Sequence, residues 1–116
     1  TDVETYYELV SAIYASNDDH NDAHYINILA EHLSINDIYI QAKTNLHIFS
    51  HVGTEINGEE LNKLFLIRRN SDVTFTGIHF TRARRINGAA LYVDTSKVTF
   101  LNCEWSYNIA EGMEYS

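Results

Sequence analysis

Residues 5–16 carry apolar side chains with the spacing of one helix face. These side chains fall three and four positions apart: Tyr6, Leu9, Val10, Ile13 and Tyr14. Thr5 stands before them and Glu8 follows three residues later, which is a capping-box pattern. Residues 17–22 contain no apolar side chain, so the helix is predicted to end near Ser16.

From residue 24 onward the apolar period changes to two, in short runs separated by a few polar residues. The alternating pairs are Ile26/Ile28, Leu33/Ile35, Ile38/Ile40, Leu46/Ile48, Phe65/Ile67, Val73/Phe75, Ile78/Phe80, Ala90/Tyr92, Val98/Phe100 and Cys103/Trp105. Each run is long enough for only a short strand. Such strands suit a solenoid, in which each strand pairs with its equivalent one turn later.

Residues 73–80 and 98–105 repeat one pattern 25 positions apart. The shift superimposes Val73, Phe75, Ile78 and Phe80 on Val98, Phe100, Cys103 and Trp105, and Phe65 and Ile67 on Ala90 and Tyr92. Gly77 becomes Asn102, and both residue types tolerate the left-handed backbone of a tight corner. The sequence therefore predicts an all-β fold, a right-handed parallel β-helix of about four coils.

The pattern divides the chain into a capping helix (1–16), a polar linker (17–23) and a solenoid (24–116). We expect the helix to cover the apolar surface of the first coil, as a terminal element of a solenoid must. No capping pattern follows the last strands, so the solenoid is predicted to be incomplete at its C-terminus. An open coil exposes strand edges to another chain. The residues expected at such an assembly contact are Trp105, Tyr107, Asn108, Met113 and Tyr115.

Two short elements resemble the right-handed β-helix repeats of large cell-surface proteins. Asn87-Gly88-Ala89-Ala90-Leu91 is similar to their Gly-Gly-Ala-aliphatic element, with Asn for the leading Gly. Trp105-Ser106-Tyr107-Asn108 is similar to their Phe-x-x-Asn element, with Trp for Phe. The preceding coil, Phe80-Thr81-Arg82-Ala83, lacks that Asn. The proteins with these repeats include adhesin-like proteins of methanogenic archaea and polymorphic outer membrane proteins of chlamydiae, so the resemblance implies a β-helix with an adhesive, extracellular role.

Charge and composition narrow the classes of partner. The chain has 16 acidic and 8 basic residues, a formal charge of −8, which repels nucleic-acid phosphates and anionic membrane surfaces. No apolar run approaches the roughly 20 residues that cross a bilayer. We therefore expect neither a nucleic-acid partner nor membrane insertion. Cys103 is the only cysteine, so no internal disulfide forms.

A β-helix polysaccharide lyase would need carboxylates that hold Ca²⁺ beside a basic residue, on outward positions of adjacent coils. The residues with that chemistry are Asp72, Asp94, Arg68 and Arg69. In the repeat alignment Asp72 falls on Lys97 and Asp94 falls on Arg69, so acids stack on bases. We predict cross-strand charge pairs and no catalytic residues.

Two polar clusters are candidates for binding. A metal ion, Ca²⁺ or Zn²⁺, could use carboxylates or imidazoles in the linker region, where the candidates are Asp18, Asp19, His20, Asp22 and His24. Their spacing lacks the Gly and distal Glu of an EF-hand, so a solvated linker is the alternative and no cofactor is predicted. Arg82, Arg84 and Arg85 could bind carboxylated or sulfated sugars; a loop balanced by nearby acids is the alternative.

The remaining reactive or aromatic residues are expected to be structural. His47, His51 and His79 are predicted to be satisfied or solvent-facing, and Cys103 takes the place of Ile78 as a small hydrophobe. Tyr25, Tyr39 and Tyr107 are predicted to point outward, where they could stack on sugars or contact proteins.

These observations predict a non-catalytic extracellular or cell-surface module of structural or adhesive function. Its partners would be other subunits, or a protein or glycan of a cell surface. Self-assembly end to end through the last coil into a filament is a variant of this prediction. The alternative is a carbohydrate-binding or polysaccharide-degrading β-helix protein, because the fold supports both.

Overall fold

A computed structural model describes residues 1–16, 22–59, 63–86 and 91–111, with the backbone alone at 85–86 and 109–111. One helix and a series of short strands make up the described chain. They are β1 (Asp2–Val3), α1 (Tyr6–Ala15), β2 (His24–Ile28), β3 (His32–Ser34), β4 (Ile38–Gln41), β5 (Leu46–Phe49), β6 (Glu55–Asn57), β7 (Phe65–Arg68), β8 (Asp72–Thr76), β9 (His79–Thr81), β10 (Arg84–Ile86), β11 (Leu91–Val93), β12 (Lys97–Leu101), β13 (Glu104–Ser106) and β14 (Ile109–Glu111).

The strands stack into parallel sheets that run along a solenoid axis. The first sheet has the order β1-β2-β5-β8-β12, the second β3-β6-β9-β13, the third β4-β7-β11, and β10 pairs with β14. Every described pair is parallel, and β8 pairs with β12 at the predicted shift of 25, Val73 against Val98. The parallel β-helix of about four turns is confirmed. Its coils are β2–β4, β5–β7, β8–β11 and β12–β14.

Inward side chains stack in apolar columns, as the period of two requires. The completely buried members include Ile26, Ile48, Ile56 and Ile67. A phenylalanine cluster joins the second and third coils, where the Phe65 ring centroid lies 5.0 Å from that of Phe75 and 6.2 Å from that of Phe80. Each such ring contributes roughly 1.5–3 kcal/mol by leaving water, so the columns hold the coils together.

The helix covers the first coil as predicted. Leu9 and Ile13 are buried in the same core as Ile26 and Ile28. The Thr5 hydroxyl accepts the Glu8 backbone N–H (3.1 Å), while the Glu8 carboxylate accepts the N–H of Glu4 (2.7 Å), one residue before the cap.

At the other end of the helix, the Lys43 ammonium donates to the Ser16 carbonyl (2.6 Å). A cation at this end favours the helix, because the last carbonyls carry partial negative charge. Tyr14 is 75% exposed, so its predicted place on the buried face is wrong.

The register between β11 and β7 in the third sheet differs from the prediction by one residue. Leu91 and Val93, and not Ala90 and Tyr92, lie opposite Phe65 and Ile67. Tyr92 is paired with Leu66 on the outward side. Five consecutive apolar residues precede Asp94, so the sequence there does not show which alternate positions point inward.

One further prediction changes with this register. Asp94 no longer falls on Arg69, because its N–H donates to Ile67 O and it stands level with Arg68. The pairing of Asp72 with Lys97 is confirmed. Strand β1 was not predicted, since a single apolar residue, Val3, gives no period.

Candidate ligand-binding site

The corner between β5 and β6 is longer than the corners stacked beneath it. Phe49 pairs with Thr76, and Glu55 pairs with His79. Five residues therefore connect the strands in the second coil, where two connect them in the third. The extra residues must leave the coil outward, because the strands on both sides keep their places in the core. We call residues 50–54 the corner loop.

Buried hydroxyl groups hold the corner loop in one shape. The Ser50 hydroxyl accepts the N–H groups of Val52 (3.2 Å) and Thr54 (3.1 Å) and lies 2.6 Å from the Thr54 hydroxyl, which donates to the Ala30 carbonyl (2.7 Å). Ser50 and Thr54 are both buried. Since these hydrogen bonds already hold the loop, it requires little ordering when a ligand binds.

A groove of about 310 Å³ lies between the corner loop and the next two corners of the solenoid. The residues that line it include His51 and Gly53 from the loop, Gly77 and His79 from the third coil, and Asn102 and Glu104 from the fourth. Gly77 has φ +69°, and a Cβ there would lie 2.5 Å from Ser50 O. Bare backbone is therefore required at this point. We call this cavity the corner groove.

Several polar atoms in the corner groove remain available for a ligand. His79 Nε2 shares a hydrogen bond of 2.6 Å with Ser106 Oγ, which lies 3.4 Å from Thr81 Oγ1. Either atom can supply the hydrogen of the bond between His79 and Ser106, and Nδ1 is the imidazole nitrogen that this bond leaves open to a ligand. Within the described part of the chain, the side chains of Asn102 and Glu104 form no hydrogen bond.

An aromatic surface adjoins the groove on the outward face of the first sheet. The Tyr25 and His47 rings stack at 4.7 Å with an interplanar angle of 18°. Phe49 meets Tyr25 edge-on at 6.5 Å and His51 at 5.2 Å. His47 Nε2 donates to Asn45 Oδ1 (3.1 Å), which orients the imidazole. We call Tyr25, His47, Phe49 and His51 the aromatic track.

The second sheet carries a column of alternating imidazoles and carboxylates on its outward face. His32, Glu55, His79 and Glu104 are successive partners in the register. His32 Nδ1 lies 3.6 Å from Glu55 Oε1. This exposed pair adds little to stability, but the column places two carboxylates next to the groove.

The third sheet has a smaller aromatic surface on its outward side. Tyr39, Leu66 and Tyr92 are successive partners there. The Arg68 guanidinium lies over Tyr39 (5.6 Å) and the Lys63 ammonium over Tyr92 (4.9 Å). These rings already face cations of the same chain, so this surface differs from the aromatic track.

The predicted arginine cluster is only partly described. Arg82 and Arg84 are exposed, and the Arg82 guanidinium lies 5.9 Å from the Tyr107 ring centroid. The Arg85 side chain lies outside the described residues. Binding of acidic sugars by these three residues stays a prediction.

The predicted metal site is also only partly described. Asp18, Asp19 and His20 lie outside the described residues, while Asp22 is exposed and His24 is half-buried. In the described ranges, no three His, Cys, Asp or Glu side chains are grouped so that they could hold a metal ion.

The predicted assembly residues have different positions in the last coil. Trp105 occupies the inward column and stacks on Phe80 at 5.5 Å, yet it is 43% exposed. The Asn108 amide donates to Phe80 O and accepts the N–H of Ala83, both at 3.1 Å, so it ties the fourth coil to the third. Tyr107 is exposed, and Met113 and Tyr115 lie outside the described residues.

The other residues singled out in the sequence have ordinary environments. Cys103 is half-buried beside the core, and its thiol donates to Phe75 O (3.4 Å). Tyr25, Tyr39 and Tyr107 are exposed, which confirms their outward orientation. None of the helices in the described ranges is long and apolar enough to cross a membrane.

Comparisons with family models, with curated proteins and with solved structures found no match to this chain. The resemblance to cell-surface β-helix repeats therefore stays a prediction. Sequence reasoning treated the histidines one by one and missed the corner groove. The available signal was the length of the 50–54 segment, which exceeds that of 77–78.

Proposed function

We propose that this chain is a non-catalytic structural or adhesive module that works outside the cell or at its surface. The solenoid acts as a rigid support, and its outward faces contact another molecule. The partner is a protein or glycan of a cell surface, or another subunit.

The observation that carries this proposal is the exposure of large aromatic side chains at outward positions. Tyr25 is 56% exposed, Tyr39 48% and Tyr107 79%. Aromatic rings are enriched where proteins meet partners, because they bury a large area at low entropic cost. Short strands on a packed core hold two of these rings in place, so contact requires little reorganisation.

Adhesion can be measured with beads that carry the purified protein, incubated with a panel of bacterial and animal cells. We expect retention on at least one cell type, and reduced retention when Tyr25 and Tyr39 are both changed to Thr. A Tyr14→Ser variant is the matched control, because this tyrosine is even more exposed but lies on the helix. Beads that never exceed an albumin control would contradict the proposal.

The alternative, a polysaccharide-degrading protein, makes a separate prediction. Incubation with a panel of polysaccharides would generate new reducing ends or an unsaturated product. Appearance of either product in proportion to protein concentration would replace the proposal of a non-catalytic module.

Association of copies through the last coil is a second candidate function. Its support is the solvent exposure of Trp105 at an inward position, where its ring packs edge-on against Phe100 at 4.8 Å. Apolar side chains of this size favour contact with a second surface. Sedimentation velocity over a hundredfold range of concentration tests this: we expect larger species that disappear in Trp105→Lys, and a monomer throughout would contradict it.

A further inference from the structure

We propose that the aromatic track and the corner groove together bind a neutral oligosaccharide that runs obliquely across the coils, from the first sheet to the corner beside the second. This inference rests on the proposed function and names the class of ligand that the module takes. It concerns a different surface from the arginine cluster, which would suit acidic sugars.

The positions of the residues favour a long, narrow ligand. Tyr25 belongs to the first coil, Phe49 to the second, His79 to the third and Glu104 to the fourth. Neighbouring strands are about 4.8 Å apart, so four coils span about 14 Å. The groove, about 310 Å³, is at the small end of ligand sites. A chain of linked rings fits this shape better than one compact molecule.

The aromatic track suits the apolar face of a sugar ring. A pyranose presents C–H groups on its faces and hydroxyl groups at its edges. Aromatic faces carry partial negative charge and attract those C–H groups. Phe49 has no polar atom and is half-exposed at an outward strand position. A sugar ring that covers Phe49 removes apolar surface from water and leaves no polar group of that side chain without a hydrogen bond.

The corner groove suits the hydroxyl edges of the next ring. The Asn102 amide offers a donor and an acceptor, and the Glu104 carboxylate accepts hydrogens. His79 Nδ1 donates or accepts according to the tautomer of the imidazole. The hydroxyl pair that holds Ser50 and Thr54 fixes the opposite wall. Few, well-placed polar groups beside an apolar surface are the usual composition of a specific small-molecule site.

Charge selects a neutral ligand over an acidic one. The chain has a formal charge of −8, and Glu55 and Glu104 lie on the column beside the groove. No lysine or arginine occurs among the residues that line the groove. An acidic sugar would therefore meet repulsion without a compensating cation.

An array of neutral and acidic glycans, followed by titration of cellohexaose, maltohexaose and chitohexaose by NMR, tests the inference. We expect at least one neutral glycan to bind, with upfield shifts of its C–H protons from the rings. Phe49→Thr should weaken binding about tenfold. Thr76 occupies the equivalent position in the next coil, so this variant should fold. Tyr14→Ser, on the helix and outside the aromatic track, is the matched control and should leave the affinity unchanged.

Three results would overturn the inference: no neutral glycan binds, heparin hexasaccharide binds more tightly than every neutral glycan, or Phe49→Thr and Tyr14→Ser weaken binding equally. The bead assay separates this inference from the proposed function. Adhesion to cells without glycan binding overturns the inference alone. Glycan binding in solution without adhesion to any cell supports the site and contradicts the adhesive function.

Discussion

Replacing Gly77 by alanine tests the close approach between the third coil and the corner loop. Gly77 has φ +69°, a left-handed conformation that costs other residues about 1–2 kcal/mol. A methyl group would also lie 2.5 Å from Ser50 O, so the loop or the corner must shift. Overpacking of this kind costs about 1–3 kcal/mol. We expect Gly77→Ala to lower the free energy of unfolding by about 2–5 kcal/mol.

Gly53 provides the matched control, because it shares the backbone conformation but not the contact. Its φ is +75°, and a Cβ there meets no atom within 4 Å. Gly53→Ala should therefore cost only about 1–2 kcal/mol. Urea unfolding followed by circular dichroism gives both losses, provided that the m-values agree. Equal destabilisation by the two changes would refute the contact between Ser50 and Gly77 and the groove wall built on it.

Two further substitutions test contacts at the ends of the solenoid. Asn108→Ala removes two hydrogen bonds to the backbone of the third coil and should lower the free energy of unfolding by about 2–3 kcal/mol. A loss below about 0.5 kcal/mol in urea unfolding would contradict the role of Asn108 in joining the two coils. Thr5→Ala removes the helix cap and should cost about 1 kcal/mol. Ser11→Ala, on the exposed side of the helix, is the control and should change the free energy of unfolding in thermal melts by less than about 0.5 kcal/mol. An equal loss for Thr5→Ala and Ser11→Ala would contradict the capping role.

The sequence was sufficient to predict the core because each inward column recurs in every coil. Ile26, Ile48 and Phe75 are all apolar and all buried, so a period of two marks them. The helix cap was equally predictable from the sequence, since Thr5 and Glu8 act within a few residues of each other. Local patterns of this kind need no knowledge of the distant chain.

The site was not predictable, because the number of residues in each coil decides which of its side chains become neighbours. Tyr25 stacks on His47 since the first coil is 22 residues long at that sheet; one residue more would bring a different side chain under Tyr25. The prediction of the register at Leu91 was wrong for a related reason. Neighbouring apolar residues on both sides remove the parity signal, so the pairing with Phe65 depends on the length of the preceding corner.

The corner loop should be removable without loss of the fold, because the solenoid absorbs length changes in its corners. The first sheet repeats after 27 residues between β5 and β8, while the second sheet repeats after 24 between β6 and β9. Both registers are kept by the core columns. Replacing residues 50–54 with Gly-Ile, the sequence of residues 77–78, should thus give a folded protein without the corner groove.

The energetic terms of this replacement oppose each other. Burying an isoleucine in place of Thr54 gains roughly 1.5–3 kcal/mol. Losing the hydroxyl pair leaves the Ala30 carbonyl without the hydrogen bond it now accepts, which costs about 1–3 kcal/mol. We expect the free energy of unfolding to stay within about 2 kcal/mol of the parent, and glycan binding to be lost. A variant that unfolds would show that the loop is structural, and one that still binds would place the ligand elsewhere.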